Sequence, residues 1–225
     1  LAHERLQGRT FTVGNTVVDA LLHVLQNVRG RAQEYEAQFS RYLPSGARVV
    51  LITSHRRENF GQGLQNICGA IRQLAIHRPE YQFIFPVHLN PNVRQEVYPS
   101  LQGLGNVHLL DPLRYDELVF LMDRSYIILT DSGGIQEEAP SLNKPLVVMR
   151  DTTERPEGIE AGCAVLAGAD RHAIEKAFME IDTDAGTYAR MASVPNPYGD
   201  GLASQRIADI CLEAVHGLVG GGNAA

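Results

Sequence analysis

Four short polar strings in this sequence follow apolar runs, and each carries side chains that could do chemistry. The first is Ser54-His55-Arg56-Arg57-Glu58-Asn59-Phe60-Gly61. A guanidinium can grip a phosphate through two parallel hydrogen bonds, and an imidazole can donate to an oxygen or move a proton. The plain alternative is a surface loop laced by ion pairs of the Arg56–Glu58 type. The second is Phe85-Pro86-Val87-His88-Leu89-Asn90-Pro91. His88 is a ligand-binding candidate or, equally, a hydrogen-bonded structural residue, and Asn90-Pro91 also suits a helix cap with proline in the first turn.

The third string is Thr130-Asp131-Ser132-Gly133-Gly134-Ile135-Gln136-Glu137-Glu138. An apolar run enters Ser-Gly-Gly and then a helix pattern. Gly133 and Gly134 let the backbone approach a ligand closely, the helix start supplies free N–H groups, and the Ser132 hydroxyl adds a donor. Glu138 lies one turn after Gly134 on the same face, placed to accept from two vicinal hydroxyls. The alternative is a glycine turn with acids favouring the helix dipole, which accounts well for Glu137. The fourth string, Arg150-Asp151-Thr152-Thr153-Glu154-Arg155-Pro156-Glu157, packs alternating charges into a loop that could simply pair with itself.

Other motifs fail. Gly61-Gln62-Gly63-Leu64-Gln65-Asn66 begins like a dinucleotide fingerprint but ends in asparagine. The chain has neither the Gly-x-x-x-x-Gly-Lys phosphate loop nor a Gly-x-Ser-x-Gly elbow around Ser132. No His and acid spacing suggests a metal, and no cofactor is expected. A net charge of -6, with 26 acidic against 20 basic residues, argues against nucleic acid and anionic membranes as partners. Cys68, Cys163 and Cys211 are widely spaced and odd in number, which points to a reducing cytoplasm rather than a disulfide framework. No apolar stretch reaches the ~18 residues of a membrane span.

The elements that must position these strings alternate. Buried strands are expected at Arg48–Thr53, Tyr81–Val87, Val107–Leu110, Tyr126–Thr130, Leu146–Met149 and Ala164–Leu166. Helices are expected after Gly14-Asn15, with Thr16 as N-cap and Asp19 completing a loose capping box, and at Ala32–Arg41, Leu64–Ile76, Asn92–Leu101, Tyr115–Met122, Gly134–Ala139, Arg171–Ile181 and Ser204–Val219. Apolar strands separated by single helices imply parallel pairing with both faces covered. The fold class is therefore α/β, a Rossmann-like doubly wound parallel sheet with its ligand outside the carboxyl ends of the strands. We divide the chain into a helical entry segment, residues 1–46, a Rossmann-like domain, residues 47–203, and a C-terminal helix with its tail, residues 204–225.

Together, His55-Arg56-Arg57-Glu58-Asn59, Pro86 to Pro91, Asp131 to Glu138 and Arg150 to Glu157 resemble the motifs of bacterial non-hydrolysing UDP-N-acetylglucosamine 2-epimerases. Gly14-Asn15-Thr16-Val17-Val18-Asp19 and Asn196-Pro197-Tyr198-Gly199-Asp200-Gly201 are similar to further segments of that family. The resemblance implies a GT-B-like enzyme of two Rossmann-like domains, with this chain as the C-terminal, UDP-binding one. The family interconverts UDP-GlcNAc and UDP-ManNAc for cell-envelope polysaccharide synthesis. It eliminates UDP to leave 2-acetamidoglucal and adds it back after the C2 proton has changed face. Carried over, Ser132, Gly133 and Gly134 would bind the diphosphate, Glu138 would hold the ribose and Arg155 would approach the diphosphate. His55 would lie by the phosphates or sugar as the candidate catalytic group. Arg56 and His88 resemble residues tied to the substrate and to a second, activating UDP-GlcNAc.

In that family the N-terminal domain, with the carboxylates that move the C2 proton, precedes the point where this chain opens at Leu1. The expectation is a truncated gene product or split subunit that binds UDP, UDP-GlcNAc and UDP-ManNAc and does not epimerise alone. Its partners would be the upstream domain and a second copy of the chain. The last helix, with Ile207, Ile210, Cys211, Val215 and Leu218, is expected to self-associate or to order poorly. Competing readings are a half of another GT-B nucleotide-sugar enzyme (a glycosyltransferase or hydrolysing epimerase), a non-catalytic UDP-sugar-binding module, and a remnant without a ligand.

Overall fold

The computed structural model describes residues 10–220, with side chains described through residue 216. Helix α1 (Thr16–Gly30) starts from Asn15, whose side-chain oxygen accepts from the Val17 amide at 3.0 Å. The expected cap at Thr16 is thus one residue late. Asp19 serves a distant helix: its carboxylate accepts from the amides of Ala203 and Ser204 at 3.2 and 2.7 Å, satisfying the open start of α10 (Ala203–Gly220). Helix α2 (Ala32–Phe39) ends in a 3-10 turn through Tyr42.

The strands are β1 (Val49–Thr53), β2 (Gln82–Pro86), β3 (Val107–Leu110), β4 (Ile127–Thr130), β5 (Leu146–Val148) and β6 (Ala164–Leu166). They form one parallel sheet in the order β3-β2-β1-β4-β5-β6. Between them run α3 (Gln62–His77), α4 (Pro91–Leu101), α5 (Tyr115–Arg124), α6 (Gly133–Glu138) and α7 (Pro156–Ala161), followed by α8 (Arg171–Thr183) and α9 (Ala185–Ala192).

Strand periodicity divides the core. Val50, Ile52, Phe83, Phe85, Ile127 and Leu129 face α3, α4 and α8 on one side. Val49, Leu51, Ile84, Ile128, Leu146 and Val148 face α1, α2 and α5 on the other. Both faces are dry, so these strands read as unbroken apolar runs. Burying each such side chain contributes about 1.5–3 kcal/mol before conformational entropy is counted. The order of strands reverses direction between β1 and β4, which opens a crevice at their carboxyl ends.

Two helices escape the sequence reading. Helix α7 is six residues long and fully buries only Gly158; α9 is eight residues long and packs Met191, with Tyr188 half-buried beside it, against the core on the α8 side. Arg155 caps α7, Pro156 pre-sets its first turn, and Gly162 at φ 86° ends it. Helix α10 is formed through Gly220, with Ile207, Leu212 and Val215 exposed. The side chain of Leu218 lies outside the described residues. Among the described residues no helix is long and apolar enough to cross a membrane. Cys68 and Cys163 are buried free thiols, and Cys211 is exposed.

Candidate functional site

The crevice between β1 and β4 is organised by Asp131, which is 0% exposed. Its carboxylate accepts from Ser54 Oγ at 2.9 Å, from the His55 amide at 3.1 Å and from the Arg56 amide at 3.0 Å. Asn59 Nδ2 donates to it at 3.0 Å and to the Met149 carbonyl at 3.1 Å. One buried acid thereby staples the loop after β1 to the ends of β4 and β5. The hydroxyls of Thr53 and Thr130 meet at 2.6 Å across the same seam, and Thr130 Oγ1 accepts from the Ser132 amide at 2.9 Å. Asp131 and Asn59 belong to the motif strings, but sequence spacing does not reveal that they face each other.

Arg56 is aimed over Gly133. A Cβ built on Gly133 would lie 3.2 Å from Arg56 Nη2 and 3.9 Å from Arg155 Nη2. The missing side chain is what lets two guanidiniums converge above this backbone. Arg56 Nε is buried with no hydrogen-bond partner among the described residues. Such an orphaned donor costs free energy unless an acceptor arrives. Arg155 is anchored: Nε bonds Glu137 Oε1, and Nη1 donates to the Glu154 carbonyl at 3.1 Å. Glu137 is therefore an ion-pair partner, beyond the dipole role its position suggests.

The helix after Ser-Gly-Gly is short and starts one residue earlier than expected, at Gly133. Helix α6 spans six residues and passes into a 3-10 turn at Ala139–Leu142, where Pro140 can donate no hydrogen bond. Its dipole is correspondingly small, and the positive field over Gly133 comes chiefly from the guanidiniums. Ser132 caps α6 through its backbone alone, its hydroxyl making no cap bond.

Glu138 is only 6% exposed and faces no cation among the described residues. Burial pushes its carboxyl up to about 7, and the charge of Glu137 adds to the rise. A hydrogen bond from Tyr115 Oη at 3.1 Å opposes it. Burial and Glu138 in turn hold the Tyr115 phenol protonated well above its usual range. Glu138 Oε1 lies 3.7 Å, and Ser132 Oγ 3.9 Å, from where a Gly134 Cβ would be. Gly134 thus keeps open the space between a hydroxyl donor and a carboxylate acceptor.

His55 and His88 stack at 5.8 Å between ring centroids. His55 Nδ1 is 3.6 Å from Asp131 Oδ1. His88 Nδ1 accepts from the Asn90 amide at 3.1 Å, which leaves the proton of the neutral ring on Nε2. Both rings line two adjoining cavities. One, of about 170 Å³, is an apolar slot walled by Pro86, Pro112, Leu113, Leu118 and Ile135 and edged by Ser54 and Ser132. The other, of about 440 Å³, is polar and includes Arg56, Arg57, Glu58 and Asn90. Glu58 pairs with the buried Arg150 at 2.5 Å instead of with Arg56. Among the described residues no group of three or more His, Cys, Asp or Glu is arranged to hold a metal ion.

The structure thus gathers His55, Arg56, His88, Ser132, Gly133, Gly134, Glu138 and Arg155 at one edge of the sheet. A family model for UDP-N-acetylglucosamine 2-epimerase matches residues 1–212. The UDP-N-acetylglucosamine 2-epimerase of Yersinia pestis is 47% identical over 203 residues, 89% of this chain and 54% of that protein. The Neisseria meningitidis UDP-GlcNAc 2-epimerase bound to UDP-GlcNAc superposes with a TM-score of 0.90 at 43% identity, covering 94% of this chain and 58% of that one. The Methanocaldococcus jannaschii UDP-GlcNAc 2-epimerase in complex with UDP-GlcNAc and UDP gives 0.80 at 29% identity, covering 94% and 57%. The chain spans about half the length of the relatives it matches. With its motifs in sequence order and its fold in common with solved relatives, the chain belongs to the UDP-N-acetylglucosamine 2-epimerase family.

Proposed function

We propose that this chain is the nucleotide-gripping half of an enzyme that interconverts UDP-GlcNAc and UDP-ManNAc. The observation that carries the reading is the convergence of Arg56 and Arg155 over Gly133, with the buried carboxylate of Glu138, which has no cation beside it among the described residues, one turn away. Two guanidiniums and the Ser132 hydroxyl suit a diphosphate. Glu138 suits the vicinal hydroxyls of a ribose. The apolar slot at Leu113, Leu118 and Ile135 suits a flat base.

The chemistry follows from these assignments. A base takes the proton from sugar C2, the C1=C2 double bond forms, and the C1–O bond breaks with its electron pair leaving on UDP. Charge accumulates on the diphosphate as that bond breaks, so fixed guanidiniums there favour the transition state over the bound sugar nucleotide. His55 stands between the two cavities, placed to contact phosphate or to carry a proton. Re-addition of UDP after the proton has changed face inverts C2. A second domain facing the carboxyl edge of the sheet would complete the acid and base, and a second copy of the chain is a further partner. The free buried thiols of Cys68 and Cys163 favour a reducing cytoplasm.

Calorimetric titration of UDP into the 225-residue chain tests the half-site. Binding is expected, and Ser132→Ala and Glu138→Ala should each weaken it. Absence of heat at millimolar UDP in the wild-type chain would remove the reading.

A further inference from the structure

Glu137 and Glu138 are neighbours on α6 with opposite environments. Among the described residues Glu138 faces no cation, whereas Glu137 is held on both oxygens: Oε1 by Arg155 Nε, and Oε2 by Asn15 Nδ2 at 2.9 Å. Asn15 is itself fixed. Its Oδ1 caps α1, and its amide donates to the Tyr198 carbonyl at 2.8 Å. The backbone at Glu137 is fixed too, its carbonyl accepting from Asn196 Nδ2 at 2.9 Å. On the other side, Tyr198 Oη donates to the Arg155 carbonyl at 3.1 Å and accepts from the Gly158 amide at 2.9 Å.

Both the side chain and the backbone of Arg155 are therefore set by segments far away in sequence. With Nε on Glu137 and Nη1 on the Glu154 carbonyl, the guanidinium has its Nη2 end toward Gly133. A planar guanidinium held at both Nε and Nη1 has its plane and direction set, so little side-chain entropy is left to lose when an anion binds at Nη2. An arginine without the brace would sample several rotamers, and its phosphate contact would weaken accordingly.

We propose that Glu137, braced by the Asn15 side-chain amide, is a positioning residue that aims the Arg155 guanidinium at the diphosphate. This rests on the assignment of the Gly133 cradle to a diphosphate. The brace touches no ligand itself. It acts through Arg155, and it ties the grip to the junction where Gly14 and Gly199 meet backbone to backbone.

The test is a titration of UDP and of uridine, which lacks the diphosphate, into the wild-type chain and into Glu137→Gln, Arg155→Ala and the double variant. Glu137→Gln is expected to weaken UDP about tenfold and to leave uridine unchanged. In the Arg155→Ala background it should cost nothing further. Asn15→Ala, which leaves the Glu137–Arg155 pair in place, should give a smaller loss of the same kind and keeps the test open if Glu137→Gln does not fold. Equal loss of UDP and uridine, additive losses in the double variant, or unchanged UDP affinity in Glu137→Gln would each overturn the proposal. If the wild-type chain binds uridine but gains nothing from the diphosphate, the cradle assignment fails first.

Discussion

Asp131, just past the end of β4, and Glu138, the last residue of α6, are both buried acids, and the fold treats them differently. Asp131 accepts from a hydroxyl, two backbone amides and a side-chain amide. Glu138 accepts from the Tyr115 hydroxyl and has no cation beside it among the described residues. The first is saturated by the protein and so holds three strand ends together. The second is left expensive to ionise, a cost that an incoming pair of hydroxyls can offset. Scaffold and receptor at this site differ in how completely the protein satisfies them, since burial is much the same.

The largest effect that would sharpen the contrast is on the scaffold. Asp131→Ala orphans several buried donors and is expected to cost about 3 kcal/mol or more, read as a lower urea midpoint, with UDP binding lost alongside. An unchanged midpoint would mean that the seam holds without its acid. For the receptor the expectation reverses. Glu138→Gln should leave stability at pH 8 equal or higher, while UDP affinity falls about tenfold, or ~1.4 kcal/mol. A destabilised Gln variant with intact UDP binding would merge the two roles.

Next is pH. The Glu138 carboxyl sits at about 7 in the folded chain, above its ordinary 4.5. The folded state therefore binds the extra proton, and this group's contribution to stability is full below about 4.5 and is lost as pH rises through 7. Ribose hydroxyls prefer the ionised form, so UDP affinity should increase from pH 5.5 to 7.5. Glu138→Gln should flatten that part of the profile; equal slopes in both proteins would place the titration elsewhere.

The smallest effect on the site comes from outside both regions. Leu212 and Val215 on α10 are 57% and 55% exposed. Replacing both with Glu should reduce self-association in sedimentation and leave UDP affinity within about twofold. A larger change in affinity would show that α10 reaches the grip.

Much of the molecule is readable in its sequence. Apolar runs such as Val49–Thr53 and Ile127–Thr130 are strands because both their faces are buried, and period and burial are local properties of the chain. Ser-Gly-Gly after β4 marks a place where backbone must come close to something, and Gly133 proves to lie under two guanidiniums. Helices α7 and α9 are not readable, because six and eight residues give too few turns for a helical period to stand out from a loop.

What the sequence by itself determined is the parallel α/β fold, the order of its elements and the short list of residues at the strand ends. Partnership was decided only in three dimensions. Glu58 joins Arg150, Glu137 joins Arg155 and Asn15, and Asp19 caps a helix at the other end of the chain. A carboxylate reaches only a few ångströms, so its partner depends on which loops the sheet brings side by side. Spacing along the chain fixes periodicity; the reversal of strand order between β1 and β4 fixes which charges meet and which one, Glu138, has no cation beside it among the described residues.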